Sequence, residues 1–166
     1  MTVMKRTNIP QGEWLSLPLT FNSNVETSAN YELPEGAIIR PEDMYLVVDT
    51  IDATETINVG IGMSTEVGYD ADGFIAAFSI ATAGYYCVRD MYTATDGSNQ
   101  NYLSANFIGD LFFGGLDGAN ASGQSGIMAL KNYRGDGVAK TICYTSSAGS
   151  DTFVGRLIFR VWYLPL

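Results

Sequence analysis

The sequence predicts an all-β protein: a β-sandwich or jelly-roll-like fold with long loops, one short helix and an N-terminal arm. Three observations carry this expectation. Apolar residues recur in many short runs, and two of them, Thr56 to Met63 and Phe153 to Tyr163, alternate cleanly. Gly, Asn, Ser and Asp cluster between the runs and mark turns. Only one stretch, Phe74 to Ala83, reads as a helix. Short strands, glycine turns and little helix together mean a sandwich or a barrel.

Met1 to Gln11 are polar, contain Pro10 and show no periodicity, so residues 1–12 are assigned to an arm and residues 13–166 to a single domain. Trp14 to Phe21 reads as a strand. Pro18 within it calls for a sheet edge or a bulge, because proline cannot donate to a ladder. Asn22 to Asn30 is a polar loop, and Leu33-Pro34-Glu35-Gly36 is a turn. Met44 to Ala53 is β-rich, and with Thr56 to Met63 it is expected to form a hairpin across Glu55. Phe74 to Ala83 follows as the helix, with Asp72 as its N-cap and Gly84 as its stop.

Tyr85 to Met91 reads as strand, Thr93 to Asn106 as a long loop, and Phe107 to Phe113 as a strand. Gly114 to Gly126 is a second glycine-rich loop. Ile127 to Leu130 and Val138 to Thr145 are strands around the turn Asn132 to Gly137, and Ser146 to Asp151 is a turn. In the last segment Phe153, Gly155, Leu157, Phe159, Val161 and Tyr163 share one face, while Arg156 and Arg160 share the other. That segment is therefore a strand with a core side and a basic side. No internal repeat is present.

The composition excludes whole classes of chemistry. The chain has 166 residues, 46% of them hydrophobic, which is enough to bury a core without a disulfide or metal. It contains no histidine, which removes Ser-His-Asp and Cys-His catalysis and any His-ligated metal. Charged residues make up 16%, below the ~25% of an ordinary soluble domain. A surface short of charge is often one that is covered. Eighteen acidic and nine basic residues give a net charge of -9, which argues against nucleic acid as a partner. No signal-like segment follows Lys5 and Arg6, and the charge-free run Gly73 to Val88 is too short to span a bilayer comfortably. Synthesis in the cytoplasm, no membrane partner, and Cys87 and Cys143 as free core thiols are the corresponding expectations.

Several short motifs have an ordinary reading beside a functional one. Asp70-Ala71-Asp72-Gly73 resembles the opening of a calcium loop, but no bidentate Glu follows at the right spacing. Asp70 and Asp72 are thus the only metal candidates, and an Asx turn capping the helix explains them too. Arg134-Gly135-Asp136 is an ordinary turn sequence, and Asn120-Ala121-Ser122 is a sequon without an export signal. Asp49, Asp52 and Glu55 lie close enough in sequence to suggest paired-carboxylate chemistry, although a solvent-facing strand end accounts for them equally. Trp14, Trp162 and the ten tyrosines suit a sugar platform or, more simply, core or subunit packing. No catalytic residue and no cofactor are expected. Interface candidates are Lys5 and Arg6 in the arm, and Trp162, Tyr163, Leu164 and Leu166 in the uncharged C-terminal tail.

The stretch from Leu33-Pro34-Glu35-Gly36-Ala37-Ile38-Ile39, through Thr56-Ile57-Asn58-Val59-Gly60-Ile61, to Asp70-Ala71-Asp72-Gly73-Phe74-Ile75 and Ala81-Thr82-Ala83-Gly84 resembles a known family. It is similar to the capsid-decoration, or cement, proteins of tailed bacteriophages. The resemblance covers about a third of the chain and includes no catalytic motif. It implies a β-sandwich or jelly-roll homotrimer on the outside of a virion, made in the host cytoplasm, that clamps neighbouring major capsid subunits. The alternative from another class is a carbohydrate- or receptor-binding β-sandwich of a phage head fibre or tail.

Overall fold

The structure, a computed structural model, describes residues 12–21, 25–91, 93–94, 103–104, 108–114, 129–135, 138–146 and 153–163. Its strands are β1 (Gly12–Phe21), β2 (Thr27–Leu33), β3 (Ile38–Ile51), β4 (Glu55–Ile61), β5 (Asp70–Ile80), β6 (Gly84–Cys87), β7 (Thr93–Ala94), β8 (Leu103–Ser104), β9 (Phe113–Gly114), β10 (Ala129–Leu130), β11 (Tyr133–Arg134), β12 (Lys140–Ser146) and β13 (Phe153–Trp162). Two antiparallel sheets pack face to face. One has the order β1-β13-β3, with β6 and β11 both pairing along the far edge of β3; the other has the order β2-β12-β4-β5.

Setting aside β7 to β11, the strands fall into two sheets of four, β1-β13-β3-β6 and β2-β12-β4-β5. Successive strands alternate between sheets except at β4–β5. This is jelly-roll connectivity, with an excursion inserted between β6 and β12. The expected sandwich therefore stands, and its topology is the more specific of the two forms predicted.

The core lies between the sheets. Leu19, Ile39, Leu46, Phe153, Leu157 and Phe159 project from one side, and Ile57, Val59, Phe74 and Ile142 from the other; all ten are fully buried. The β13 pattern is a strict alternation, buried at Phe153, Gly155, Leu157, Phe159 and Val161 and partly open at Arg156, Ile158, Arg160 and Trp162. Gly155 is needed at its place, because a Cβ there would fall on the Val47 carbonyl oxygen. Pro18 sits in β1, whose only ladder partner among the described residues is β13, so there the residue without a donor is on an edge strand as expected. The turn at Pro34 closes through Ala37 N–H donating to Pro34 O at 3.1 Å, with Gly36 at φ +72°.

Several expectations are corrected. Asn22 to Asn30 is not loop throughout, because β2 begins at Thr27, and the turn expected at Asn132 to Gly137 contains β11, which pairs with β3. Phe74 to Ala83 is not a helix: it forms most of β5, paired with β4 from Glu55↔Ile80 to Ile61↔Asp70. Ladder pairing and burial of Phe74 and Ile75 outweigh the helix propensity of its alanines. Asp72 consequently caps nothing, and Gly84 opens β6. Met44 to Ala53 and Thr56 to Met63 are not a hairpin, because β3 and β4 belong to opposite sheets. Tyr85 to Met91 is strand only as far as Cys87 and then makes a 3₁₀ turn at Val88–Asp90. Phe107 to Phe113 is mostly not strand. Ile108 bridges to Ile75, and a second 3₁₀ turn at Asp110–Phe112 leads into β9. The first strand begins at Gly12, two residues before Trp14.

The β4–β5 ladder contains a built irregularity. Ala77 lies at φ +47°, in the left-handed region, where the register slips between Ile57 and Val59. The Asn58 carboxamide fills the gap: its Oδ1 accepts from Ala77 N–H at 2.6 Å, and its Nδ2 donates to Thr145 Oγ1 at 3.2 Å. Among the described residues no helix is long and apolar enough to cross a membrane.

Phe159 tests the central position of β13. Its ring is fully buried and meets Tyr31 edge-on at 6.0 Å. Phe159→Ala is expected to cost ~3–5 kcal/mol, a large share of a domain's total stability of ~5–15 kcal/mol. Urea denaturation followed by circular dichroism checks it, and an unchanged midpoint refutes the assignment.

Candidate docking face

A run of arginine and aromatic side chains covers the outer side of the sheet that contains β13. Its origin is a bulge in β3. On β13 the register passes from Phe159 to Val161, two positions, while on β3 it passes from Met44 to Ile39, five positions. Pro41 lies in that bulge, where the ladder needs no donor from it. The extra length puts both Arg40 and Asp43 against Trp162. Asp43 Oδ2 accepts from Trp162 Nε1–H at 2.9 Å, and the Arg40 guanidinium lies 4.6 Å from the ring centre.

Arg160 lies on the same face, two residues before Trp162, with its guanidinium 3.8 Å from the Trp162 ring and 5.9 Å from the Trp14 ring. All three separations fall within the ~6 Å reach of a cation–π contact. Trp14 is opposite Arg160 in the β1–β13 register, and its ring centre is 6.4 Å from that of Tyr45 on β3. The contacts run from Arg40 of β3 to Trp162 and Arg160 of β13, then to Trp14 of β1 and back to Tyr45 of β3. Gly12 makes room for them, since a Cβ there would overlap Arg160 Nε. Trp14 remains 50% exposed, so it is not a core residue. Further along the same sheet Arg156 donates to both Asp49 oxygens, at 3.1 and 3.0 Å.

The predicted site residues are distributed unevenly over this geometry. Trp162 is at the centre of the face. Tyr163, 38% exposed, follows it, and its hydroxyl meets that of Tyr31. Lys5, Arg6, Leu164 and Leu166 lie outside the described residues, as do the sequon at Asn120, Asp136 of the Arg134-Gly135-Asp136 tripeptide, and most of the loops expected at Thr93 to Asn106, Gly114 to Gly126 and Ser146 to Asp151. Where the first of these is described it is not loop: Thr93–Ala94 pairs with Leu103–Ser104 as β7 and β8. Asp70 and Asp72 stand in strand β5 rather than in a capping turn. Among the described residues, no three acidic or cysteine side chains gather closely enough to hold a metal ion. The carboxylate trio does not form one surface: Asp49 is engaged by Arg156, Asp52 is exposed, and Glu55 is buried in the opposite sheet. Arg40 and Asp43 reach the site through the bulge, and Tyr45 reaches it by cross-strand register opposite Ile158, neither of which is visible in a single segment. Pro41, between the apolar Ala37-Ile38-Ile39 and the β-rich run from Met44, is the signal in the sequence that marks the bulge.

Compared with known proteins, the chain matches no family model, no curated protein and no solved structure.

The thiols are free, as expected, but only Cys143 is a core residue; Cys87 is half-buried, with its sulfur 3.9 Å from the Pro41 and Glu42 carbonyl oxygens. Burial, with the Glu26 carboxylate adding to it, pushes the Cys143 thiol from its ordinary 9.0 up to about 12. Burial raises the Cys87 thiol as well. Both therefore stay protonated to higher pH than an exposed thiol and react slowly. Cys87 is expected to react first with a thiol reagent at neutral pH, and Cys143 only on unfolding. In linkage terms an elevated folded-state pKa gives stability that is complete below the unfolded value and lost as pH rises through the folded one. Cys143 thus favours the folded chain below pH 9.0, and this contribution disappears toward pH 12. Urea midpoints measured across that alkaline window should fall less steeply for Cys143→Ala than for the parent chain. Equal slopes would exclude the assignment.

Proposed function

We propose that this chain is a non-enzymatic structural protein of a tailed-phage particle. It binds the outer surface of the capsid and holds neighbouring major capsid subunits together, acting as a homotrimer. The observation that carries the reading is the open Arg40–Trp162–Arg160–Trp14 run on the outer sheet face. Trp, Tyr and Arg are the residues enriched at protein–protein contacts and at their energetic centres. Here they are concentrated on one face of a chain only 16% charged. The resemblance of Leu33 to Gly84 to decoration proteins points the same way. So does the jelly-roll topology, which recurs in viral capsid domains, although at the level of fold this is analogy alone.

Such a protein needs no strong single site. A trimer presents its face three times, and linked contacts on a repeating lattice raise avidity by orders of magnitude over each contact alone. A guanidinium already stacked on tryptophan is held in place before contact, so less side-chain freedom is lost on docking. Lys5 and Arg6 would add an arm that reaches an acidic neighbour. The particle surface is the corresponding location, after synthesis in the host cytoplasm.

One observation favours a second reading. The half-exposed ring of Trp14 is the kind of aromatic platform on which sugars stack, and jelly rolls also serve as lectin domains. In this alternative the chain is the carbohydrate- or receptor-binding module of a head fibre or tail.

Co-sedimentation with shells assembled from the major capsid protein of the same particle tests the first reading. Native mass measurement should find three copies of 18.0 kDa. Trp14→Ala should leave the thermal midpoint nearly unchanged and weaken shell binding by about tenfold or more, as expected for loss of a contact worth roughly 2 kcal/mol. A monomer that fails to pellet with shells refutes the capsid reading. If its tryptophan fluorescence instead titrates with a neutral sugar, the second reading replaces it.

A further inference from the structure

We propose that the stacked guanidiniums of Arg40 and Arg160 receive carboxylates from a short acidic segment of the partner protein, an assignment that rests on the docking-face reading and names its partner's chemistry. The segment carries Asp or Glu residues flanked by apolar ones.

The first observation is how the arginines near this face are partnered. Arg156 donates to Asp49 at 3.0 and 3.1 Å, and Arg89 holds Asp90 at 3.1 Å. Arg40 and Arg160 have no carboxylate within ion-pair distance among the described residues. Their contacts are with indole rings: both lie on Trp162, at 4.6 and 3.8 Å, and Arg160 also reaches Trp14 at 5.9 Å. Asp43, the acid that the bulge brings here, is engaged at the indole edge, where its Oδ2 accepts from Trp162 Nε1–H.

The second observation is which donors stay open. A guanidinium has five N–H groups and no acceptor. The Nε atoms of Arg40 and Arg160 are buried without a hydrogen-bond partner, that of Arg160 against Gly12. Both side chains are only half-buried, and their terminal nitrogens are not among the sealed atoms. The forked outer edge is therefore what a partner meets, and that edge pairs with a carboxylate through two parallel hydrogen bonds. A guanidinium is weakly hydrated, and one already stacked on a ring has less freedom to lose, so docking an acceptor there costs little. The net charge of -9 eases the approach of two like charges to one ring, so the pair stands ready before any partner arrives.

The scale of the site selects a peptide segment. Two open guanidiniums are too few to hold a phosphate backbone, and a long polyanion meets the repulsion of the whole acidic chain. A short segment meets mainly the local charges. Beside the arginines, Trp14 is half-exposed and its ring centre is 6.4 Å from that of Tyr45, which gives apolar neighbours of the acidic residues a surface to pack on.

Selection of a random linear peptide library on the full chain tests this without assuming a capsid. Recovered peptides should be enriched in Asp and Glu beside apolar residues. Their binding should weaken between ~0.15 and ~1 M salt, where the screening length falls from about 8 to about 3 Å. Replacing their acidic residues by amides should weaken binding about tenfold or more, a readout that needs no variant of the chain. Arg40→Gln combined with Arg160→Gln, folded by circular dichroism, should lose as much and flatten the salt dependence. Lys131→Gln, an exposed charge outside the face, should bind like the parent. Peptides without acidic enrichment, amide forms that bind equally, or a folded double variant that binds as the parent overturn the proposal. So does saturable binding of glucuronate with no acidic peptide recovered, which assigns the arginines to an acidic sugar. Capsid shells that pellet the parent and the double variant alike also overturn it and leave the capsid reading standing. Acidic peptides that behave as stated, with shells that pellet neither chain, uphold it and remove the capsid reading.

Discussion

The structure depends on the full-length pairing of one strand. β13 pairs with β1 along ten residues, Gly12↔Trp162 to Phe21↔Phe153, and with β3 on its other side. A strand held from both sides cannot slip by one residue without turning its whole apolar set to solvent. Phe153, Leu157, Phe159 and Val161 are thereby committed to the core, and Arg156, Arg160 and Trp162 to the outer face. Core and docking face are two sides of one constraint, so a change that disturbs the alternation acts on both.

A sheet this regular would display only a flat ladder of side chains. The β3 bulge around Pro41 changes that. It separates the segment of β3 paired with β11, at Ile38 and Ile39, from the segment paired with β6, at Tyr45 to Val48. It also brings Arg40 and Asp43 together on Trp162. Bulges often re-aim side chains next to functional sites, and this one does so with a residue that has no N–H to lose. The aromatic and cationic groups then hold one another in register across three strands.

The excursion between β6 and β12 follows a different logic. It is attached to the sandwich by buried side chains, Ile108, Phe112 and Tyr133, two of which gather around Phe74. Its last strand, β11, joins the edge of the β3 sheet, while β12 enters the other sheet directly after it. Lys131 and Arg134, on the side of the β3 sheet, and Lys140, in the other sheet, line one cleft. The jelly roll supplies a rigid end, and the insertion turns it into a concavity.

The sequence by itself determined the layer and the sidedness. Period-two alternation in Phe153 to Tyr163 and in Thr56 to Met63, broken by glycine and proline turns, is a local property, and it called for half-buried β-strands of a sandwich or barrel, the last with its arginines on the outer side. The lack of histidine removed whole classes of catalysis on composition alone. Tertiary structure decided everything that rests on which strand meets which. Phe74 to Ala83 has alanines that suit a helix, and only pairing with β4 makes it β5. Asp49 and Glu55 are six positions apart in sequence and end in opposite sheets, because the chain crosses between layers where a hairpin was expected. Arg40, Trp162 and Trp14 are distant in sequence and meet through cross-strand register and a bulge. Register is a property of two strands and of the core that locks them, so no single segment encodes it.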